Sequence, residues 1–208
     1  IGMRKDQFFL EKKLGKLHAK ELWNIGLEAV EEVLSLIKDY NIDCSLMNGI
    51  LSAGCFKNDI KEFESEINHL SKNYNFKGYK LFNSKEIKKE INSDLYKSGL
   101  LDLNGYHINP LKLLIGLSKL LIDKNVKIYE NTPVISLKEE KDYILVSSKE
   151  NIIKAKKVIV ACNGYLDKLI GNKGNIFMPI NNYVVATEPL GEKKAREIIC
   201  NNYAVHDT

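Results

Sequence analysis

The stretch Val158-Ile159-Val160-Ala161-Cys162-Asn163-Gly164-Tyr165 decides how the chain is read. Its apolar run, entered from Lys156-Lys157, predicts a short strand covered on both faces, as in the interior of a parallel sheet. A small-residue turn follows. Such a turn stands at the carboxyl end of the sheet, where open α/β folds seat their ligands. Ala161, Cys162 and Gly164 are small enough to let a flat or charged ligand approach the backbone. An ordinary strand end without a ligand looks the same, so the meaning of the stretch depends on its surroundings.

Upstream, Val134-Ile135-Ser136-Leu137, Tyr143-Ile144-Leu145-Val146 and Ile152-Ile153 are short runs between charged turns, which predicts a small antiparallel meander. Val126-Lys127-Ile128-Tyr129 reads as a strand entered through Lys124-Asn125. Before it, Asn109-Pro110 opens a helix: Asn can accept from the first unpaired amides, and Pro at the first helical position costs no hydrogen bond. Leu111, Leu114, Ile115, Ser118, Leu121 and Ile122 make that helix apolar over most of its surface, so burial is expected. Gly99 to Asn109 reads as a loop. Downstream come a Gly/Asn-rich loop from Gly171 to Asn175, then Met178-Pro179-Ile180, then the extended run Tyr183 to Thr187.

In the first half, Leu22, Ile25, Ala29, Val33 and Ile37 recur at helical steps and predict a long amphipathic helix over about 19–39, with Trp23 packing beside the stripe. Asn48-Gly49 is a tight-turn signal and predicts a hairpin. Ile60, Phe63, Ile67, Leu70 and Tyr74 predict a second helix capped by Asn58. Tyr79 to Phe82 reads as a short strand, and Ser84 opens a brief helix carrying Ile87 and Ile91. The class is α/β plus α+β: part of a Rossmann-like dinucleotide-binding sheet with an antiparallel meander, and a mixed-sheet portion. The expected segments are 1–99, 100–170 and 171–208.

Composition excludes several classes. With 44% hydrophobic residues in 208, the chain can bury a core. The net charge of +4, from 31 basic and 27 acidic residues in mixed-sign runs, gives no nucleic-acid footprint. The longest apolar candidate for a membrane, Leu113 to Ile122, is short and broken by Lys119. Cys44, Cys55, Cys162 and Cys200 have neither C-x-x-C nor zinc-finger spacing, so no metal is expected; free thiols in a reducing cytoplasm are. The chain opens on Ile1 and stops at Thr208 without tail-like composition, and both ends read as cut from something longer.

The chain resembles the FAD-dependent oxidoreductases of the D-amino-acid oxidase group, in the branch related to gamma-glutamylputrescine oxidase. Three stretches carry the likeness. The first is Asn104-Gly105-Tyr106-His107-Ile108-Asn109-Pro110-Leu111, and the second is Val126 to Val134. The third is Val158 to Tyr165 with Met178-Pro179-Ile180 and Ala186-Thr187-Glu188-Pro189-Leu190. The resemblance implies FAD as cofactor and an amine or amino acid as substrate, oxidised at its C–N bond by hydride transfer to the flavin. It implies that the Val134 main chain meets adenine and that Ala161, Cys162, Asn163 and Gly164 run past the diphosphate and ribitol. Tyr183 and His107 are candidate substrate contacts, although a sheet-packing Tyr and a structurally bonded His explain them as well.

The chain departs from the family in lacking G-x-G-x-x-G after a strand, the turn whose helix N-terminus holds the pyrophosphate. The expectation is a fragment that binds FAD weakly by itself and works with a complementary piece carrying that turn. A remnant or interaction module that binds no cofactor is the competing reading.

Overall fold

The computed structural model describes residues 5–166, 169–171 and 180–207. The expected Met178-Pro179 segment and most of the 171–175 loop lie outside the described residues. The chain divides into two compact units, 1–125 with 188–208, and 126–187. The expected boundary at residue 99 falls inside a strand of the first unit.

The first unit begins with helices α1 (Gln7–Leu14) and α2 (Lys16–Asp39), followed by strand β1 (Met47–Gly54) and helix α3 (Asp59–Tyr74). It continues with β2 (Tyr79–Phe82), α4 (Ser84–Glu90), β3 (Ser98–His107) and α5 (Pro110–Asp123). After the second unit the chain returns as α6 (Gly191–Ile198) and β7 (Ala204–Asp207). The sheet order is β2-β3-β1-β7, with β7 parallel to β1 and the other pairs antiparallel.

β3 overturns the loop reading of 99–109. Its first five residues are buried, and Leu101 pairs with Leu51 of β1 in the middle of the sheet. Its glycines serve packing: a Cβ on Gly99 would lie 2.6 Å from Ile87 Cδ1, and one on Gly105 3.0 Å from Ile50. Nor do Asn48-Gly49 turn a hairpin. They begin β1, where the register slips between Asn48 and Ile50. Gly49 has φ +104°, and a Cβ there would stand 2.3 Å from the Tyr203 ring, so the glycine admits a close approach rather than a reversal.

Leu51, Ala53, Phe82, Ile87, Ile91 and Leu101 form the core under this sheet. Trp23, Leu70 and Phe76 form a second cluster where α2 and α3 meet, and Ile37, Ile42 and Cys44 a third. Trp23 is packing, as expected. Asn58 precedes α3, but its side chain makes no capping bond. Asn83, one residue before Ser84, caps α4 instead, in a reciprocal box with Glu86.

Asn109 caps α5 through Oδ1, which accepts from Lys112 N at 3.0 Å, with Pro110 at the first turn as expected. The burial expected for α5 is not found: none of its residues is buried, and Leu111, Leu114 and Ile122 are each about 60% exposed.

The second unit holds the meander, β4 (Ser136–Glu139), β5 (Ile144–Ser147) and β6 (Ile152–Ala155), antiparallel in that order. The strands read at Val126–Tyr129, Val158–Ala161 and Tyr183–Thr187 join no ladder among the described residues. A strand exists through a neighbour's amides and carbonyls, whatever its own propensity. Ile159, Val184 and Val185 are each more than 90% exposed.

α1 is tied to α3 by a polar chain. Gln7 Nε2 donates to Ala19 O at 2.7 Å and to Tyr74 Oη at 3.0 Å. Tyr74 Oη donates to Glu11 Oε1 at 2.6 Å, and His69 Nε2 lies 2.8 Å from the same oxygen. Burial alone would raise the Glu11 carboxyl, but the hydrogen bonds from Tyr74 and His69 outweigh it and hold the group below its ordinary range. A lowered carboxyl contributes stability above its unfolded pKa and loses it as pH falls through the folded value.

Two outcomes follow. Leu51→Ala leaves a void at the β1–β3 pairing and costs about 2–5 kcal/mol in urea unfolding. Glu11→Gln flattens the acid limb of the stability curve, read as urea midpoints between pH 7 and pH 3.

Candidate functional site

The meander begins where its last ladder bond closes. Ile135 N–H donates to Ser147 O at 2.8 Å, and Val134 stands one residue beyond, half exposed. Val134 lines a cavity of about 450 Å³ with Tyr129, Thr132, Val146, Ser148, Asn151, Ile152 and Ile153. Val146 and Ile153 are cross-strand partners, so the meander's own register sets two apolar residues of the lining side by side.

Two hydroxyl groups of the lining are already engaged. Thr132 Oγ1 donates to Glu130 O at 2.8 Å. Ser148 Oγ donates to Asn151 O at 3.2 Å and accepts from Asn151 N at 3.0 Å. The Thr132 and Ser148 hydroxyl protons are therefore committed to the loops that carry them. Val134, Val146, Ile152 and Ile153 offer apolar faces, and the lining also carries the Tyr129 phenol and the Asn151 amide. Apolar walls with a few polar groups suit a flat heteroaromatic group. Among the described residues no group of three His, Cys, Asp or Glu side chains could hold a metal ion.

Ala161 and Cys162 lead into a short 3₁₀ turn at Asn163–Tyr165, closed by Tyr165 N–H donating to Cys162 O at 3.0 Å, with Cys162 already in the right-handed helical region. Asn163 has φ +49°, in the left-handed region that Asn tolerates better than most residues. Ala161, Asn163 and Gly164 are exposed, and Cys162 is half-buried. The turn expected after Val158–Ala161 is present, although the strand before it is unpaired. Ala161 to Gly164 do not line the Val134 cavity.

His107 closes β3 and lies opposite Met47. Its Nε2 is 3.0 Å from Asn202 O, so that nitrogen carries the proton and donates it, tying β3 to the segment before β7. Tyr183 is 82% exposed. Sequence reading missed Tyr129, Val146, Ser148 and Asn151 as cavity lining. A Ser-x-x-Asn pair between two strands signals a turn, and nothing in its spacing points to a cavity.

A family model described as DAO, FAD dependent oxidoreductase, matches residues 7–207. The chain belongs to this family of FAD-dependent oxidoreductases. It is 32% identical over 199 residues to the gamma-glutamylputrescine oxidoreductase of Escherichia coli, covering 95% of the chain and 46% of that protein. It is 30% identical over 206 residues to the probable oxidoreductase OrdL of Haemophilus influenzae, covering 94% and 46%. The chain thus spans about half the length of the curated relatives it matches. Among solved structures, glycine oxidase from Geobacillus kaustophilus superposes with TM-score 0.57 at 11% identity, over 65% of the chain and 38% of that structure. L-proline dehydrogenase from P. horikoshii gives 0.56 at 19% identity, over 67% and 39%. These likenesses show a shared fold. FAD is the family's cofactor. Among the described residues no helix is long and apolar enough to cross a membrane.

His107→Ala removes one hydrogen bond and is expected to cost about 0.5–1.5 kcal/mol in urea unfolding. His107→Asn, which can still donate, should recover part of that loss.

Proposed function

We propose that this chain forms part of an FAD-dependent oxidoreductase that oxidises an amine or amino acid at its C–N bond. The observation that carries the reading is the cavity beside Val134, walled by Val146, Ile152 and Ile153, with the Thr132 and Ser148 hydroxyl protons committed to their own loops. When bound, the flavin supplies the hydride acceptor. Val134 would meet the adenine edge through its main chain, with Val146 and Tyr129 as walls. Ala161, Cys162, Asn163 and Gly164 would pass the diphosphate and ribitol, where side chains larger than Cys would collide. His107 and Tyr183 stand as substrate-side candidates. The carbonyl bond of His107 favours a positioning part for it.

An amine substrate is supported by the E. coli relative, whose name specifies gamma-glutamylputrescine, and by a structural likeness to L-amino acid deaminase from Proteus myxofaciens at TM-score 0.55. A cytoplasmic site of action suits four free cysteines.

The pyrophosphate needs backbone amides at a helix start. We assign that task to a complementary segment bearing a Gly-rich turn, because the sequence has no G-x-G-x-x-G following a strand. Asp6, Asn83 and Asn109 side chains already occupy the starts of α1, α4 and α5. The exposed apolar flank of α5 suits contact with such a segment.

Flavin titration followed by fluorescence tests the reading. The chain alone is expected to bind FAD more weakly than micromolar, and joined to a segment carrying the Gly-rich turn it should bind tightly. Val134→Asp, which sets a charge against the ring, should weaken binding of the joined protein at least tenfold. Unchanged binding in that variant would remove Val134 from the site.

A further inference from the structure

We infer that Glu66, Tyr79 and Asp102 form a proton-dependent brace that holds α3 against the β2–β3 pair and slackens as pH rises. The argument starts from register. Tyr79 of β2 and Asp102 of β3 are directly opposed across the sheet. The Tyr79 phenol donates to Glu66 Oε1 of α3 at 3.2 Å. One aromatic residue is therefore bonded to a carboxyl on a helix and paired across the sheet with a carboxyl in a central strand. Asp102 is only 8% exposed, although it lies in the strand that anchors the sheet. Its Oδ1 accepts from Asn104 N at 2.9 Å.

Among the described residues, the ion pairs involve Glu11, Asp94, Asp43, Glu140 and Glu192, and none reaches Glu66 or Asp102. The described charged groups that act on Glu66 are Asp6 before α1 and Asp102 of β3, both negative. Burial is the largest influence on each carboxyl, and both are held above their ordinary range. Burial, then the charges of Glu66 and Asp102, push the Tyr79 phenol far up, so it remains a donor at every working pH. It has one proton to give, and Glu66 takes it. Ionising both carboxyls therefore sets two like charges about one neutral ring, with a single phenolic bond to share between them.

The sign follows from linkage. A carboxyl whose folded pKa is raised contributes stability that is present below its unfolded pKa and is lost as pH rises through the folded one. The brace thus works against the Glu11 linkage, which weakens on the acid side. The chain also carries its own reporter. Trp23 is the single tryptophan, 6% exposed, and packs with Leu70 of α3 and with Phe76, with Tyr79 against that cluster.

The experiment follows Trp23 emission and urea midpoints of the 208-residue chain from pH 5 to pH 8, for wild type, Glu66→Gln, Asp102→Asn and the double variant. A control, Glu64→Gln, changes an exposed carboxyl on the same helix. The expected result is a wild-type midpoint that falls with pH and an emission that moves to the red. The double variant should lose at least half of that fall, and the control should keep it. The same fall in wild type and double variant, or none in wild type, overturns the brace. Carboxyl ¹³C titration of the wild type decides the matter even if the variants fail to fold. Midpoints for Glu66 and Asp102 above those of exposed Glu and Asp support it, and ordinary midpoints for both overturn it.

Discussion

The pairing of β1 with β3 is the constraint on which the larger unit depends. Leu51 and Leu101 oppose one another with almost no exposure, and everything else in that unit is placed relative to them. β7 joins the free side of β1, and β2 joins the free side of β3. α4 packs Ile87 into the same core, close enough that Gly99 must remain without a side chain. Burial of this kind is non-directional, but register is not: a slip of one residue would turn Leu101 and its neighbours to the other face. The bulge at Asn48 and the glycines at 49, 99 and 105 let that register coexist with Tyr203, Ile87 and Ile50.

Much of this was legible from spacing alone. The helical stripes over α2 and α3, the Asn109-Pro110 start of α5 and the meander all follow from local pattern, because each is specified within a few residues. β3 was not legible. Its sequence, Ser-Gly-Leu-Leu-Asp-Leu-Asn-Gly-Tyr-His, carries two glycines, an Asp and an Asn, which are poor strand formers. Pairing on both sides overrides that propensity, and the partners are distant in sequence. The reverse holds at Val158–Ala161 and Tyr183–Thr187, where apolar runs with good strand propensity join no described ladder. The turn at Asn163 was legible from small residues, whereas the cavity beside Val134 arises from a cross-strand pairing that spacing does not reveal.

The two kinds of disagreement share a cause. α5 is apolar without burying a residue, and the extended runs of the second unit are apolar without a ladder. Both are sequences written for contacts that the described residues do not supply. The chain spans about half the length of its curated relatives, and its family match covers residues 7–207. Family membership and exposed apolar surface are the two observations behind the proposal that this chain shares its cofactor site with further protein.

The proposal that Val134 and the Ala161–Gly164 turn face one flavin from two sides is tested by a crystal structure of the flavin-loaded assembly. Main-chain hydrogen bonds are expected between the Val134 region and the adenine edge, with Gly164 in contact with the diphosphate or ribitol. Adenine seated away from the meander, or a diphosphate with no contact to residues 161–164, would contradict it.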